Sequence, residues 1–383
     1  MNETSHIGLL PNGLADTLNP DAAWESDSIE GLMAAFAAFG YDRIKPPLVE
    51  FEESLLDGPG QAIGSDMFRL MDPVTQRMMG VRPDITPQIA RIAVTRLANA
   101  PRPLRLSYGG QVLKVRASQM RNERQFTQIG VELIGAPELA ADAEVVTLAW
   151  RSLSDLGVKG ISIDLNLPTL VPTVCAGLGM TEADAEQARL ALDRKDAAAV
   201  AEFGAGIGEG IGDLLGQMLS AAGPADKALA KLQALDLPDQ AKAEVQNLAQ
   251  AVDLIQAAAP GLSLTVDATE FRGLEYQSGI CFTIYSRGVR GELGRGGRYV
   301  LSSRETATGF SLFGDSLMRA LPAAKKPQKV FLPYGTTVSE ADAVRAQGHA
   351  TLQGFVNETD ANAEARRLDC SHIFINGQVR ETN

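Results

Sequence analysis

Residues 108–135, YGGQVLKVRASQMRNERQFTQIGVELIG, constrain the chain most. Residues 108–115 carry the β-branched and bulky side chains of a strand. Residues 117–123 are polar, without an apolar period, and predict a loop. Residues 126–134 return as a second strand of an antiparallel hairpin. On that strand Gln128, Gly130 and Glu132 share one face, and Ile129, Val131 and Leu133 share the other. The pattern permits two readings. Gln128 and Glu132 could face a ligand, or the strand could be half-buried with an ordinary solvated face.

The 383 residues suffice for one large domain and a small one. A hydrophobic content of 45% suits a packed globule. No apolar run reaches membrane-spanning length, and the N-terminus lacks the basic-then-apolar pattern of a secretory signal. Cys175, Cys281 and Cys370 are odd in number and widely spaced, which predicts reduced thiols in the cytoplasm. His6, His349 and His372 are scattered, so neither a metal site nor a cofactor is expected. The net charge of −12 argues against a nucleic-acid partner, because phosphate neutralisation supplies most such affinity.

Along the chain, Asn19-Pro20 predicts a helix start, with Asn as cap and Pro at the first helical position. Trp24, Ile29, Leu32, Met33 and Phe36 form its apolar stripe, and Gly40 ends it. Residues 41–50 read as a strand containing Pro46-Pro47. Residues 68–70 and 77–81 read as two strands around the Asp72-Pro73 turn. In RPDITP, residues 82–87, Thr86 is placed to cap a helix begun by Pro87. A helix follows over 139–156 and a strand over 161–165. From 168 to 260 the composition shifts to Ala, Leu, Gln, Asp and Glu with helical periodicity, which predicts a helical insertion. GAGIGEGIG at 204–212 lacks the Lys-Ser/Thr of a phosphate loop and reads as a helix connection. Strands follow at 262–266 and 280–285. Lys325-Lys326-Pro327 leads into alternating elements: strands at 330–332, 351–356 and 372–375, with helices at 339–347 and 359–368.

The order of motifs resembles class II aminoacyl-tRNA synthetases, in the form of histidyl-tRNA synthetase, over about residues 10–320. The hairpin is similar to motif 2, the helix and strand of residues 19–50 to motif 1, and ATGFSLFGDSL (307–317) to motif 3. RPDIT resembles the family's RPE-x-T segment, and RGLEY (272–276) its histidine-specific motif. GRGGRY (294–299) resembles a glycine turn of the family. The resemblance implies an α+β fold: an antiparallel sheet flanked by helices, in residues 1–322, with a helical insertion at 168–260. A small C-terminal α/β domain at 327–383 is shorter than the family's anticodon domain.

The resemblance also implies a histidine pocket. Asp84, Thr86 and Gln128 offer the carboxylate and neutral acceptors that an ammonium needs. Glu132 is placed for the imidazole, Arg272 for the carboxylate, and Tyr276 closes the pocket; Gln277 replaces a second tyrosine. The ATP positions depart from the family. Lys114 replaces the arginine on the α-phosphate, Arg116 the glutamate that reads adenine, and Ser316 the arginine that stacks on adenine. Lysine cannot make the bidentate contact, and serine can neither stack nor carry charge. Each lost cation costs roughly 10²–10³ in phosphoryl-transfer rate.

A pocket that can hold histidine but not activate it resembles the regulatory-subunit family of ATP phosphoribosyltransferase. That resemblance implies a non-catalytic, cytoplasmic protein. It would dimerise within a hetero-oligomer with a short-form catalytic subunit, support the first step of histidine biosynthesis and transmit feedback by L-histidine. A divergent histidyl-tRNA synthetase and an amino acid ligase are the alternatives at this point.

Overall fold

The structure, a computed structural model, describes residues 8–117, 121–208, 210–270, 277–324 and 326–382. It divides into two compact units. One holds Glu25–Pro322 with the segment through Asp16, and the other holds Ala323–Asn383 with Thr17–Trp24.

The strands are β1 (Asp42–Arg43), β2 (Val49–Phe51), β3 (Phe68–Met71), β4 (Met78–Val81), β5 (Leu104–Leu113), β6 (Gln125–Ile134), β7 (Ile161–Asn166) and β8 (Gly223–Pro224). They continue as β9 (Ser263–Val266), β10 (Gln277–Ser286), β11 (Gly294–Val300), β12 (Thr306–Phe313), β13 (Lys329–Leu332), β14 (Ala350–Gln353), β15 (His372–Ile375) and β16 (Gln378–Glu381). The first unit is built on a nine-stranded sheet ordered β1-β5-β6-β12-β11-β10-β7-β9-β8. Its centre is antiparallel, and the β1/β5 and β7/β9 pairs are parallel. The expected hairpin is β5–β6, with Tyr108 opposite Gly130 and Gly110 opposite Gln128. The expected fold class, a largely antiparallel sheet with flanking helices, is what forms.

The half-solvated reading of the second hairpin strand is overturned. Every residue of β6 after Gln125 is buried, polar ones included. One face packs on the helix Leu139–Asp155 side of the core, where Val145, Val146 and Leu148 are fully buried. The segment 168–260 is helical as expected. The helix Ala197–Ile207 ends within the glycine-rich run, and Ile211–Leu219 follows it. A Cβ at Gly204 would collide with Gly212, so part of the glycine content serves close helix contact.

Four expectations need correction. Residues 41–50 are not one strand. Proline supplies no ladder N–H, so the run breaks around Pro46-Pro47 into β1 and β2, which belong to different sheets. The first helix is Asp21–Ala38, beginning after Pro20. Residues 294–299 form strand β11, not a turn. Its glycines admit close neighbours: a Cβ at Gly296 would collide with Gly309 O, 2.5 Å from Phe282 Cζ being its next approach. Thr86 is the first residue of the helix Thr86–Val94 and not its cap; its N–H donates to Asp84 Oδ1 at 2.8 Å.

The second unit is a four-stranded sheet ordered β14-β13-β15-β16, parallel except for β15/β16. Alternation along β13 decides its layers. Val330 and Leu332 pack with Ala341 and Val344 of the helix Val338–Ala346, and Phe331 packs with Ala365 of the helix Ala361–Arg367. β16 was not foreseen. The strand expected at 351–356 stops at Gln353, leaving Phe355 and Val356 exposed.

Candidate functional site

Strand register brings the motif residues together. β6 lies between β5 and β12, so Glu132 faces Gly309 across one pair and Gly130 faces both Tyr108 and Ser311. A Cβ at Gly309 would overlap the Glu132 carboxylate, and one at Gly130 would lie 2.5 Å from the Tyr108 hydroxyl. These two glycines therefore clear the sheet face on which the site is assembled.

Asp84, Thr86, Gln128 and Glu132 line one cavity, with Tyr299, Ser311 and Gln277. Gln128 is buried and fully engaged. Its Nε2 donates to Asp84 Oδ1 at 2.8 Å and to Ser311 Oγ at 2.7 Å, and its Oε1 accepts from Ile85 N at 2.8 Å. Gln128 thus fixes Asp84 and the helix start. Thr86 N and Gln128 Nε2 both donate to Asp84 Oδ1. Thr86 Oγ1 lies 3.3 Å from the Tyr108 hydroxyl, which lies 2.9 Å from Ser311 Oγ and 3.5 Å from Glu132 Oε1.

Glu132 is 2% exposed and accepts from the Tyr299 hydroxyl at 3.0 Å. Its pKa is pushed up to about 8. Burial is the main cause, and the Asp84 charge adds to it, against hydrogen bonds from Tyr299, Thr86 and Tyr108 that favour the ionised form. Burial likewise raises the Tyr108 hydroxyl far above its usual range, so it stays a neutral donor. The result is a set of two carboxyls, an amide and hydroxyls, buried except for the half-buried Asp84. Such a set gains strongly by receiving a cationic or multiply donating ligand. Arg272 and Tyr276 lie outside the described residues.

Lys114, Arg116 and Ser316 line an adjoining pocket together. Lys114 Nζ is 3.2 Å from Asp66. Ser316 is buried and its hydroxyl accepts from Arg319 at 3.0 Å. Arg121, Arg295 and Phe126 line both pockets. The Arg121 guanidinium lies 3.8 Å from the Phe313 ring centre and 4.6 Å from that of Phe126, with Asp315 at 3.2 Å and Glu292 at 3.8 Å. Arg295 pairs with Glu292 at 2.7 Å. Burial lowers the pKa of Arg121 and raises that of Asp315. These two arginines, with Tyr108, Tyr299 and Ser311, escaped the sequence reading. Tyr108 and Tyr299 stood inside quoted motifs, but only the register reveals that both hydroxyls reach Glu132.

The family model described as histidyl-tRNA synthetase matches residues 13–317. An ATP phosphoribosyltransferase regulatory subunit from Rhodospirillum centenum is 51% identical over 376 residues, covering 98% of this chain and 96% of that protein. One from Paramagnetospirillum magneticum is 52% identical over 372 residues, covering 97% of each. The chain belongs to the family of ATP phosphoribosyltransferase regulatory subunits. Solved structures share the fold. One described as an ATP phosphoribosyltransferase regulatory subunit/histidyl-tRNA synthetase from Bacillus halodurans has a TM-score of 0.82 at 24% identity, covering 94% of this chain and 96% of that one. Histidyl-tRNA synthetase from Nostoc has a TM-score of 0.79 at 18% identity, covering 96% and 91%. The chain thus has the fold of these two solved structures. Among the described residues, no helix is long and apolar enough to cross a membrane, and no group of three or more His, Cys, Asp or Glu side chains could hold a metal ion.

Proposed function

We propose that the chain is the non-catalytic regulatory subunit of an ATP phosphoribosyltransferase, acting in the cytoplasm at the first step of histidine biosynthesis. It joins a short-form catalytic subunit, supports the condensation of ATP with phosphoribosyl pyrophosphate, and carries feedback inhibition by L-histidine. The observation that carries the reading is the cluster of half-buried Asp84 with buried Thr86, Gln128 and Glu132 in a chain of this family. Asp84 and Thr86 receive the ammonium of histidine, and Glu132 the imidazole. Gln128 holds Asp84 in place, Arg272 meets the carboxylate, and Tyr276 closes the pocket.

The adjoining pocket no longer activates ATP. Adenylation needs cations aimed at a transferring phosphoryl group. Here Lys114 is paired with Asp66, Arg121 with Asp315 and Glu292, and Arg295 with Glu292, while Ser316 binds Arg319. Arg116 adds a cation where the family reads adenine with an acid. These pairings favour a regulator over a synthetase or ligase. The net charge of −12 supports a protein without a tRNA partner. Residues 1–322 form the sensing domain, which dimerises within the hetero-oligomer, and residues 327–383 form an accessory domain.

Histidine must bind the two conformations of the complex with different affinity, and the state of the partner must change histidine affinity by the same factor. The test is reconstitution. Phosphoribosyl transfer by the short-form catalytic subunit should rise many-fold on adding this chain, and histidine should inhibit only the mixture. A catalytic subunit equally active and equally histidine-sensitive alone would overturn the proposal.

A further inference from the structure

The cavity that holds Asp84 and Glu132 has a far side lined by cations. Strand alternation decides which side chains reach it. On β11, Arg295, Gly297 and Tyr299 share one face, while Arg298 turns to the other and pairs with Asp142. In the ladder with β12, Arg295 lies opposite Ser311 and Gly297 opposite Gly309. In the next ladder Ser311 lies opposite Gly130 and Gly309 opposite Glu132. Arg295, Gly297, Tyr299, Gly309, Ser311 and Glu132 all line the cavity. Two strand separations and one same-face step set the backbones of Arg295 and Glu132 about 12 Å apart. Gly297 and Gly309 put no side chain between them. With a side chain reaching in from each end, the remaining gap suits a molecule the size of a free amino acid.

The two ends differ in charge. Asp84 and Glu132 stand at one, and Lys114, Arg121 and Arg295, all shared with the adjoining pocket, stand at the other. Of the three cations Arg295 is the best placed. Lys114 lies 3.2 Å from Asp66. Arg121 is 12% exposed, stacks on Phe313 and lies 3.2 Å from Asp315. Arg295 is 34% exposed. Its hydrogen bond to Glu292, at 2.7 Å, engages Nη2. A guanidinium has five N–H donors, and a carboxylate takes two of them. Glu292 lines the adjoining pocket and not this cavity, so the acid does not occupy the approach from Glu132. Phe126 and Phe313 line the cavity as well, and apolar walls strengthen an ion pair formed between them.

We infer that Arg295 is a specificity-determining residue of the histidine pocket: it receives the ligand's carboxylate from the sheet, so that the site selects the whole amino acid over imidazole amines. The inference rests on the proposed function, which supplies histidine, and adds a second cation to Arg272. A histidine with its imidazole at Glu132 and its ammonium at Asp84 directs its carboxylate toward β11.

The test is calorimetric titration of the full-length chain and its Arg295 variants with L-histidine and with histamine, which keeps the imidazole and the ammonium and lacks the carboxylate. Histamine is read by competition against histidine where its own heat is small. The unaltered chain should bind histidine at least about tenfold more tightly than histamine, the scale of one charge-assisted contact. Arg295→Met should weaken histidine about tenfold or more and change histamine by less than about twofold. Arg295→Lys should recover part of the loss, because it keeps the charge without the fork. Glu292 keeps Arg121 at 3.8 Å in both variants, so its carboxylate is not left unpaired. Equal weakening of both ligands by Arg295→Met would make Arg295 a structural residue and overturn the inference. Unchanged histidine binding in that variant would also overturn it, while leaving the proposed function standing with the carboxylate at Arg272 alone. An unaltered chain that bound no histidine would instead remove the ligand that the proposed function supplies, and the inference with it.

Discussion

Glu132→Ala should abolish histidine binding, weakening it at least about a hundredfold. The change removes the acceptor proposed for the imidazole and strands its partners. The Tyr299 hydroxyl loses a 3.0 Å bond, and Tyr108 loses its longer one. Each stranded buried donor costs about 1–3 kcal/mol, and losing the acceptor to the ligand adds to that. Glu132→Gln separates charge from shape, because it keeps an acceptor oxygen in nearly the same volume. The same carboxyl also sets a pH dependence. Its folded pKa, pushed up to about 8, lies above the ordinary value of 4.5. Between those values the folded protein holds a proton that the unfolded chain has released. Stability therefore falls as pH rises through that window, by up to about 1.4 kcal/mol per unit from this group. Denaturant titrations from pH 5 to pH 8 should show that decline in the unaltered protein and a flatter profile in Glu132→Gln. Parallel profiles would mean that Glu132 is ionised in the empty site.

Arg298→Ala should destabilise the first unit by about 3–5 kcal/mol, the cost of breaking one side of a buried ion pair. Arg298 Nη2 is 2.7 Å from Asp142 Oδ2, and the two side chains are 11% and 3% exposed. The guanidinium also donates to Ala136 O at 3.2 Å and Glu138 O at 2.9 Å. It thereby ties strand β11 to the start of the helix Leu139–Asp155. Without it, burial would dominate at Asp142, whose pKa is already raised by burial against the pull of Arg298. The partner change Asp142→Asn with Arg298→Met should recover much of the loss, since an apolar replacement leaves no unpaired charge. Urea unfolding of the single and double variants measures both effects. A single variant within about 0.5 kcal/mol of the unaltered protein would contradict the role given to the pair.

Much of this was legible in the sequence, and the limits have physical causes. The hairpin could be read because period-two alternation and a polar interruption are local signals. So could the alternating elements of the second unit, whereas residues 307–317 were placed only by their resemblance to motif 3. Alternation placed Gln128 and Glu132 on one face correctly. It could not say that the face was buried, because burial depends on what the neighbouring strand brings. Register across β6 and β12 places Ser311 beside Gln128 and Gly309 under Glu132, and register is a nonlocal property. Tyr299 was hidden in a glycine-rich run that reads as a turn unless the close approach to Phe282 and Gly309 is known. Arg121 lay in a polar loop, where nothing in the sequence tells a solvated arginine from one stacked on Phe313. Pro46-Pro47 gave the opposite case: a local signal of interruption was present, and the flanking bulky residues outweighed it in the reading.

The most direct test of the central claim is calorimetric titration of the purified chain, first with histidine and then with ATP, followed by an assay of histidine-dependent ATP–pyrophosphate exchange. The account predicts saturable heat from histidine, no heat from ATP, and no exchange. Binding of both ligands with measurable exchange would mean that the pocket of Lys114, Arg116 and Ser316 still activates histidine, and that the chain is a synthetase.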